Sequence, residues 1–176
     1  MIRSLRSRIK TFTREERGSM VIPFALWTPV FLILILSSIE LGTVTIRQTA
    51  LERALDDTVR DIRLGSVSDP DEIKQAICDG AAVLPGCMST LHLEMVSLDM
   101  RDWDGIIDAA DCADTTLNVT PHRSFQNGGT NEMMLLRVCY KYQPITPAGT
   151  ISSSLAKDSE GYTALVVSTA FVHEPS

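Results

Sequence analysis

Residues 19–39 read SMVIPFALWTPVFLILILSSI, twenty-one positions without a charged side chain. At about 1.5 Å rise per residue, a helix of this length covers about 30 Å, the thickness of a bilayer's hydrocarbon layer. The stretch is therefore expected to span a membrane. Its flanks differ in charge: Arg3, Arg6, Arg8, Lys10, Arg14 and Arg17 precede it, and Glu40 is the first charge behind it. Basic flanks stay on the cytoplasmic side, so the amino terminus is expected inside and everything after Glu40 outside. A cleavable secretory signal fits less well, because its apolar core is about 7 to 15 residues long and ends at a small-x-small site, for which Leu36-Ser37-Ser38 is a poor match. A buried core helix would leave the arginine cluster unexplained. Within the run, Pro23 is tolerated in a first helical turn, whereas Pro29 is expected to loosen the helix around Ala25.

Beyond Glu40 the pattern turns amphipathic. Leu41, Val44, Gln48, Leu51, Leu55, Thr58 and Ile62 recur at steps of three and four, and five of the seven are apolar, which marks one helix face. Asp56 and Arg60 add an i, i+4 pair on the opposite side, and Gly65 is a normal helix stop. One helix of about 45 residues, about 65 Å long, is thus expected to run from lipid into the outer compartment. Its outer half carries an apolar stripe that something must cover.

The whole chain has 176 residues, 16 Lys plus Arg against 22 Asp plus Glu, and 44% hydrophobic but only 6% aromatic residues. That composition allows one ordinary domain with an appendage and makes a disordered, collagen-like or repeat protein a poor fit. Residues 1–18 hold six basic and two acidic side chains, leaving ten and twenty for the remainder. An acidic body argues against nucleic-acid partners, which demand a basic face to neutralise phosphates. In that body, Ser68-Asp69-Pro70-Asp71-Glu72 reads as a capped helix start, with an end at Gly80. Residues 90–100, 116–120, 132–142 and 162–173 read as strands. In the third, Met134, Leu136, Val138, Tyr140 and Tyr142 face one way and Arg137 and Lys141 the other, as in an antiparallel sheet with one buried face. The expected fold class is α+β: residues 1–18 as a basic cytoplasmic leader, 19–64 as transmembrane and amphipathic helix, and 65–176 as an outer domain whose sheet packs on that helix.

A basic leader ending in Arg-Gly, an uncharged run and a helix continuing onto a small sheet resemble the type IV pilin class. FTREERGS at 12–19, PFAL at 23–26 and IELG at 39–42 more closely resemble the TadE/TadF minor pseudopilins of tight-adherence (Flp) pili. The resemblance implies a non-enzymatic pilus component in the bacterial inner membrane, with its domain in the periplasm. It also implies cutting between Gly18 and Ser19 by a prepilin peptidase, and partnership with other pilus subunits and assembly machinery. Glycine leaves the backbone unobstructed for such an enzyme, and the cut would remove the positive leader while keeping the apolar helix. Pilins of the class usually carry Glu at the fifth mature position. Here that position is Pro23, and no carboxylate occurs between Ser19 and Glu40. An acid in lipid is costly, so its absence eases anchoring but removes a contact that registers a subunit in a filament, which favours a minor or assembly role.

Cys78, Cys87, Cys112 and Cys139 all fall on the expected outer side, where disulfides are permitted. Three pairings are possible, and nearness in sequence favours Cys78 with Cys87 and Cys112 with Cys139. The spacings fit neither a zinc ribbon nor a C-x-x-C redox motif. Asp102, Asp104, Asp108 and Asp111 fall on calcium-loop positions 3, 5, 9 and 12, but Met100 occupies position 1 and position 12 lacks its Glu, so a solvated acidic loop is the better reading. His92, His122 and His173 are far apart in sequence and read as ordinary surface or sheet residues. No nucleophile elbow, P-loop, dinucleotide fingerprint or H-E-x-x-H motif occurs, so neither catalysis nor a cofactor is expected. The alternative to a pseudopilin is a permanently anchored periplasmic binding or sensor domain whose leader is never cut.

Overall fold

The computed structural model describes residues 20–99, 101, 109–117, 121, 122, 124–145 and 155–174. Its elements in chain order are helix α1 (Val21–Arg63), helix α2 (Pro70–Gly80), the short turn α3 (Cys87–Thr90), and strands β1 (Leu91–Ser97), β2 (Met133–Tyr142) and β3 (Thr163–Val172). The fold is α+β: a long apolar N-terminal helix followed by a small domain with a three-stranded antiparallel sheet, ordered β1-β2-β3.

Helix α1 continues through Pro29 and ends where the sequence places its stop. The Gly65 amide donates to the Ile62 carbonyl (3.0 Å) and the Ser66 amide to the Asp61 carbonyl (3.0 Å), the paired bonds of a Schellman cap. Gly65 has φ 70°, a left-handed conformation that a side chain resists. Arg60 and Arg63 lie in the last turn, at the negative end of the helix dipole. Helix α2 starts as its sequence suggests: the Asp69 carboxylate accepts from the amides of Asp71 (2.9 Å) and Glu72 (3.2 Å), with Pro70 in the first turn. At its other end Gly80 lies against α1, where a Cβ would stand 3.1 Å from the Ala54 Cβ.

The core lies between the outer half of α1 and one face of the sheet, closed at the side by α2. Leu51, Leu55 and Ile62 of α1 meet Ile73 and Ile77 of α2, Leu91, Leu93 and Met95 of β1, and Met134, Leu136, Val138 and Tyr140 of β2. Each large apolar side chain buried there contributes about 1.5–3 kcal/mol relative to exposure. The register sets Leu91 opposite Tyr140, Leu93 opposite Val138 and Met95 opposite Leu136, so the inward residues of both strands share one face. Strand β3 alternates similarly, with Thr163, Leu165 and Phe171 buried and Ala164, Val166, Ser168, Ala170 and Val172 exposed.

Three expectations need correction. The stripe on α1 does not include Leu41, which is exposed; Glu40 is buried in its place, at 1% exposure. Stepping back four residues from Val44, rather than three, reaches Glu40, and the helix takes that step. The sheet does not have a single buried face. Residues 109–117 cross its back, tied down by the Cys112–Cys139 disulfide, and cover His92, Glu94, Arg137 and Cys139. Finally, Thr116 and Leu117 belong to a turn rather than a strand: Asp114 Oδ1 accepts from the Thr116 amide (3.0 Å) and hydroxyl (2.6 Å), and the Leu117 amide donates to the Asp114 carbonyl (3.1 Å). An Asx turn of this kind competes with extended pairing. The rest of that expected strand, residues 118–120, lies outside the described residues.

Candidate functional site

The inner half of α1 has no partner within the described chain. From Met20 to Ile39 every large apolar side chain is exposed, including Phe24, Leu26, Trp27, Phe31 and Leu34. Among the described residues this is the one helix long and apolar enough to cross a membrane, and no residue of its most apolar window is buried. Its few hydroxyls are satisfied inside the helix: Thr28 donates to the Phe24 carbonyl (2.6 Å) and Ser38 to that of Leu34 (2.8 Å). Lipid offers polar groups no other partner, so this local satisfaction is what a span requires.

Where the uncharged run ends, the domain begins. Glu40 Oε1 accepts from the Ile145 amide (3.3 Å), joining α1 to the segment that leaves β2. Two turns further along α1, the Arg47 guanidinium stands 4.8 Å from the centre of the Tyr142 ring, a cation–π arrangement. Tyr142 stacks on Tyr140 (6.1 Å between centroids), and the Tyr140 hydroxyl donates to the Pro85 carbonyl (2.9 Å). Burial, then the neighbouring Glu40 carboxylate, push the Tyr142 phenol above its ordinary range, against the opposing pull of Arg47. Burial likewise raises Tyr140. The sequence places these residues on a helix and a strand, but only their contact reveals a polar and aromatic collar at the junction.

The cysteines pair as Cys78–Cys87 and Cys112–Cys139, with Cα separations of 5.7 and 5.2 Å. The first ties the end of α2 to α3, and the second holds residues 109–117 on the back of β2. Beside the second lies a polar cluster that sequence reasoning missed. Glu94 and Arg137 stand directly opposite in the β1–β2 register and pair at 3.5 Å. His92 Nε2 lies 3.0 Å from Asp111 Oδ2, and the Asp111 amide donates to Glu94 Oε2 (3.3 Å). The His92 and His122 rings, thirty residues apart in sequence, approach to 4.7 Å; His173 is elsewhere, its Nδ1 3.0 Å from the Glu174 carbonyl. Burial, followed by the charges of His92 and Lys74, lowers the pKa of His122. Asp111, one of the four possible calcium ligands, is thus engaged by His92, while Asp102, Asp104 and Asp108 lie outside the described residues. So do Gly18 and Ser19. Among the described residues no three His, Cys, Asp or Glu side chains form a metal-binding group.

On the sheet's back, nearer its other side, Lys141 Nζ bonds Asp158 Oδ2 (2.9 Å). Burial alone would raise the Asp158 carboxyl, but Lys141 and the amides of Tyr162 and Glu160 hold it below its usual value. The arrangement reads as a structural clamp.

Residues 18–60 match the family model described as TadE-like protein. This segment of the chain is similar to the TadE-like family. The match runs from the Arg-Gly-Ser junction to the last turn but one of α1, so the TadE-like segment is the bare apolar half together with most of the half that enters the core. The TadE-like family is one of structural pilus components. The domain after α1 lies outside the match. No curated protein and no solved structure matches the chain.

Proposed function

We propose that the protein is a membrane-anchored minor pseudopilin of a tight-adherence pilus, processed after Gly18 and acting through helix packing and domain contacts rather than by catalysis. One observation carries this reading: a TadE-like helix that is bare and apolar for its first nineteen residues and continues unbroken into a folded domain. In this reading the arginine-rich leader stays in the cytoplasm, α1 leaves the inner membrane near Glu40, and the domain lies in the periplasm, an oxidising compartment that suits two disulfides. Packing between such helices in lipid is driven by close contact and hydrogen bonding rather than by water exclusion. Partners are other pilus subunits and the assembly machinery.

The test is amino-terminal sequencing of the protein produced with and without the cognate prepilin peptidase. A new terminus at Ser19, lost on Gly18→Trp substitution, supports the reading. An uncut chain under both conditions favours a permanently anchored periplasmic binding or sensor domain instead. A reporter fused after Ser176 checks the orientation, and a cytosolic signal would overturn it.

A further inference from the structure

The end of the domain that faces the apolar half of α1 is not a passive edge. Strand β2 ends at Tyr142, beside Arg47, and in three residues the chain descends along α1 to place the Ile145 amide on Glu40. Seven residues of helix separate Arg47 from Glu40, about 10 Å at the helical rise, which three extended residues just cover. Glu40 is the first charge after the uncharged run, so its carboxylate marks the boundary between hydrocarbon and headgroups. The Ile145 backbone therefore stands at that boundary too. Ile145 is 53% exposed, and Ile39 and Leu41, which flank Glu40 in the sequence of α1, are exposed too. At a bilayer surface an exposed isoleucine held at the level of Glu40 would continue the apolar surface of the span.

We propose that the segment following β2 inserts Ile145 into the lipid headgroup layer beside α1, with the Glu40–Ile145 hydrogen bond fixing the domain against the bilayer. The partner is a phospholipid surface. The inference rests on the membrane-spanning reading of α1, but not on leader processing or on the pilus. Collar and insertion work together: Glu40 satisfies a backbone donor where water is scarce, and Arg47 over the buried Tyr142 ring holds the end of β2 on α1 above it. Removing the subunit from the membrane would then require Ile145 to leave with the helix.

The test uses the full chain in lipid nanodiscs containing lipids brominated high on the acyl chain. A Trp103→Phe background keeps Trp27 as a reporter of the span. In a background also carrying Trp27→Phe, one variant adds Ile145→Trp and another adds Val172→Trp, at the far end of the sheet and 44% exposed. The expected result is quenched, blue-shifted emission from Trp27 and from the Ile145→Trp variant, and none from the Val172→Trp variant. Quenching of Trp27 with Ile145→Trp behaving like Val172→Trp overturns the inference alone. An unquenched Trp27 overturns the spanning reading, and the inference with it. Should Ile145→Trp fail to fold, the unaltered protein gives the same answer through its methyl resonances: headgroup-bound gadolinium should broaden those of Ile145 and spare those of Val172, and equal sharpness would refute insertion.

Discussion

Residues 21–39 and 44–62 of α1 have the same length and share one unbroken backbone, yet they meet opposite environments. The first half buries none of its large apolar side chains, whereas the second sinks Leu51, Ala54, Leu55, Val59 and Ile62 into the core. Hydrophobicity separates them, since residues 21–39 carry no charged side chain and 44–62 carry seven. Pattern adds the reason: the first half is apolar on every side, as a lipid-facing helix must be, and the second is apolar on one stripe, as a helix shared with a sheet must be. A single helix can thus belong to a membrane and to a domain, and the two can be perturbed independently.

The strongest way to test that independence is a buried charge. Leu55→Asp should abolish cooperative unfolding of the domain, a cost above about 4 kcal/mol because the carboxylate has no partner in the core. Val30→Asp should leave the domain's melting temperature unchanged and instead reduce membrane insertion, by about 3 kcal/mol near the centre of the span. Equal damage to the melt from both variants would break the contrast. Next in size, Cys112→Ser with Cys139→Ser should cost about 2–4 kcal/mol in chemical denaturation, because the bridge pins the covering segment to β2 across a separation of 27 residues. Gly65→Ala tests the point where the shared helix stops: its φ of 70° predicts a loss of about 1–2 kcal/mol. Asp69→Ala removes the cap of α2 and should cost about 1 kcal/mol by the same measurement.

The smallest expected effect is a pH dependence confined to the domain. His122 titrates below its usual value near 6.5, through burial and the charges of His92 and Lys74, partly offset by Asp71 and a hydrogen bond with the Leu93 backbone. At lower pH the unfolded chain therefore binds the proton more readily than the folded one. Stability is constant above the unfolded value and falls as pH drops through 6.5 towards the folded value. The melting temperature should decline over that window, and His122→Gln should flatten the decline. The span, which has no titratable group between Met20 and Ile39, should respond to none of it.

Much of this architecture is legible residue by residue. The uncharged run and the stripe from Val44 to Ile62 specify the helix and its two environments because helical periodicity is a local property, carried by side chains three and four positions apart. Asp69-Pro70 and Gly65 mark their helix ends for the same reason: caps are made by neighbours in sequence. The alternation from Met134 to Tyr142 likewise identifies the inward face of β2. Local pattern runs out where distant segments meet. Arg137 looks like a solvated residue from its own strand, and only the Glu94 opposite and the segment tied down at Cys112 show it to be buried.

The sequence by itself therefore determined that a span continues into an amphipathic helix, that a sheet covers its stripe, and where the caps lie. Tertiary structure alone decided that Glu40 turns inward to hold Ile145, that His92 and His122 come together, and that the back of β1 and β2 is covered as well as the front. Periodicity and capping are set by interactions within a few residues of chain. Glu40 and Ile145 are 105 residues apart, and nothing but the packing of α1 on the sheet brings the Glu40 carboxylate to the Ile145 amide.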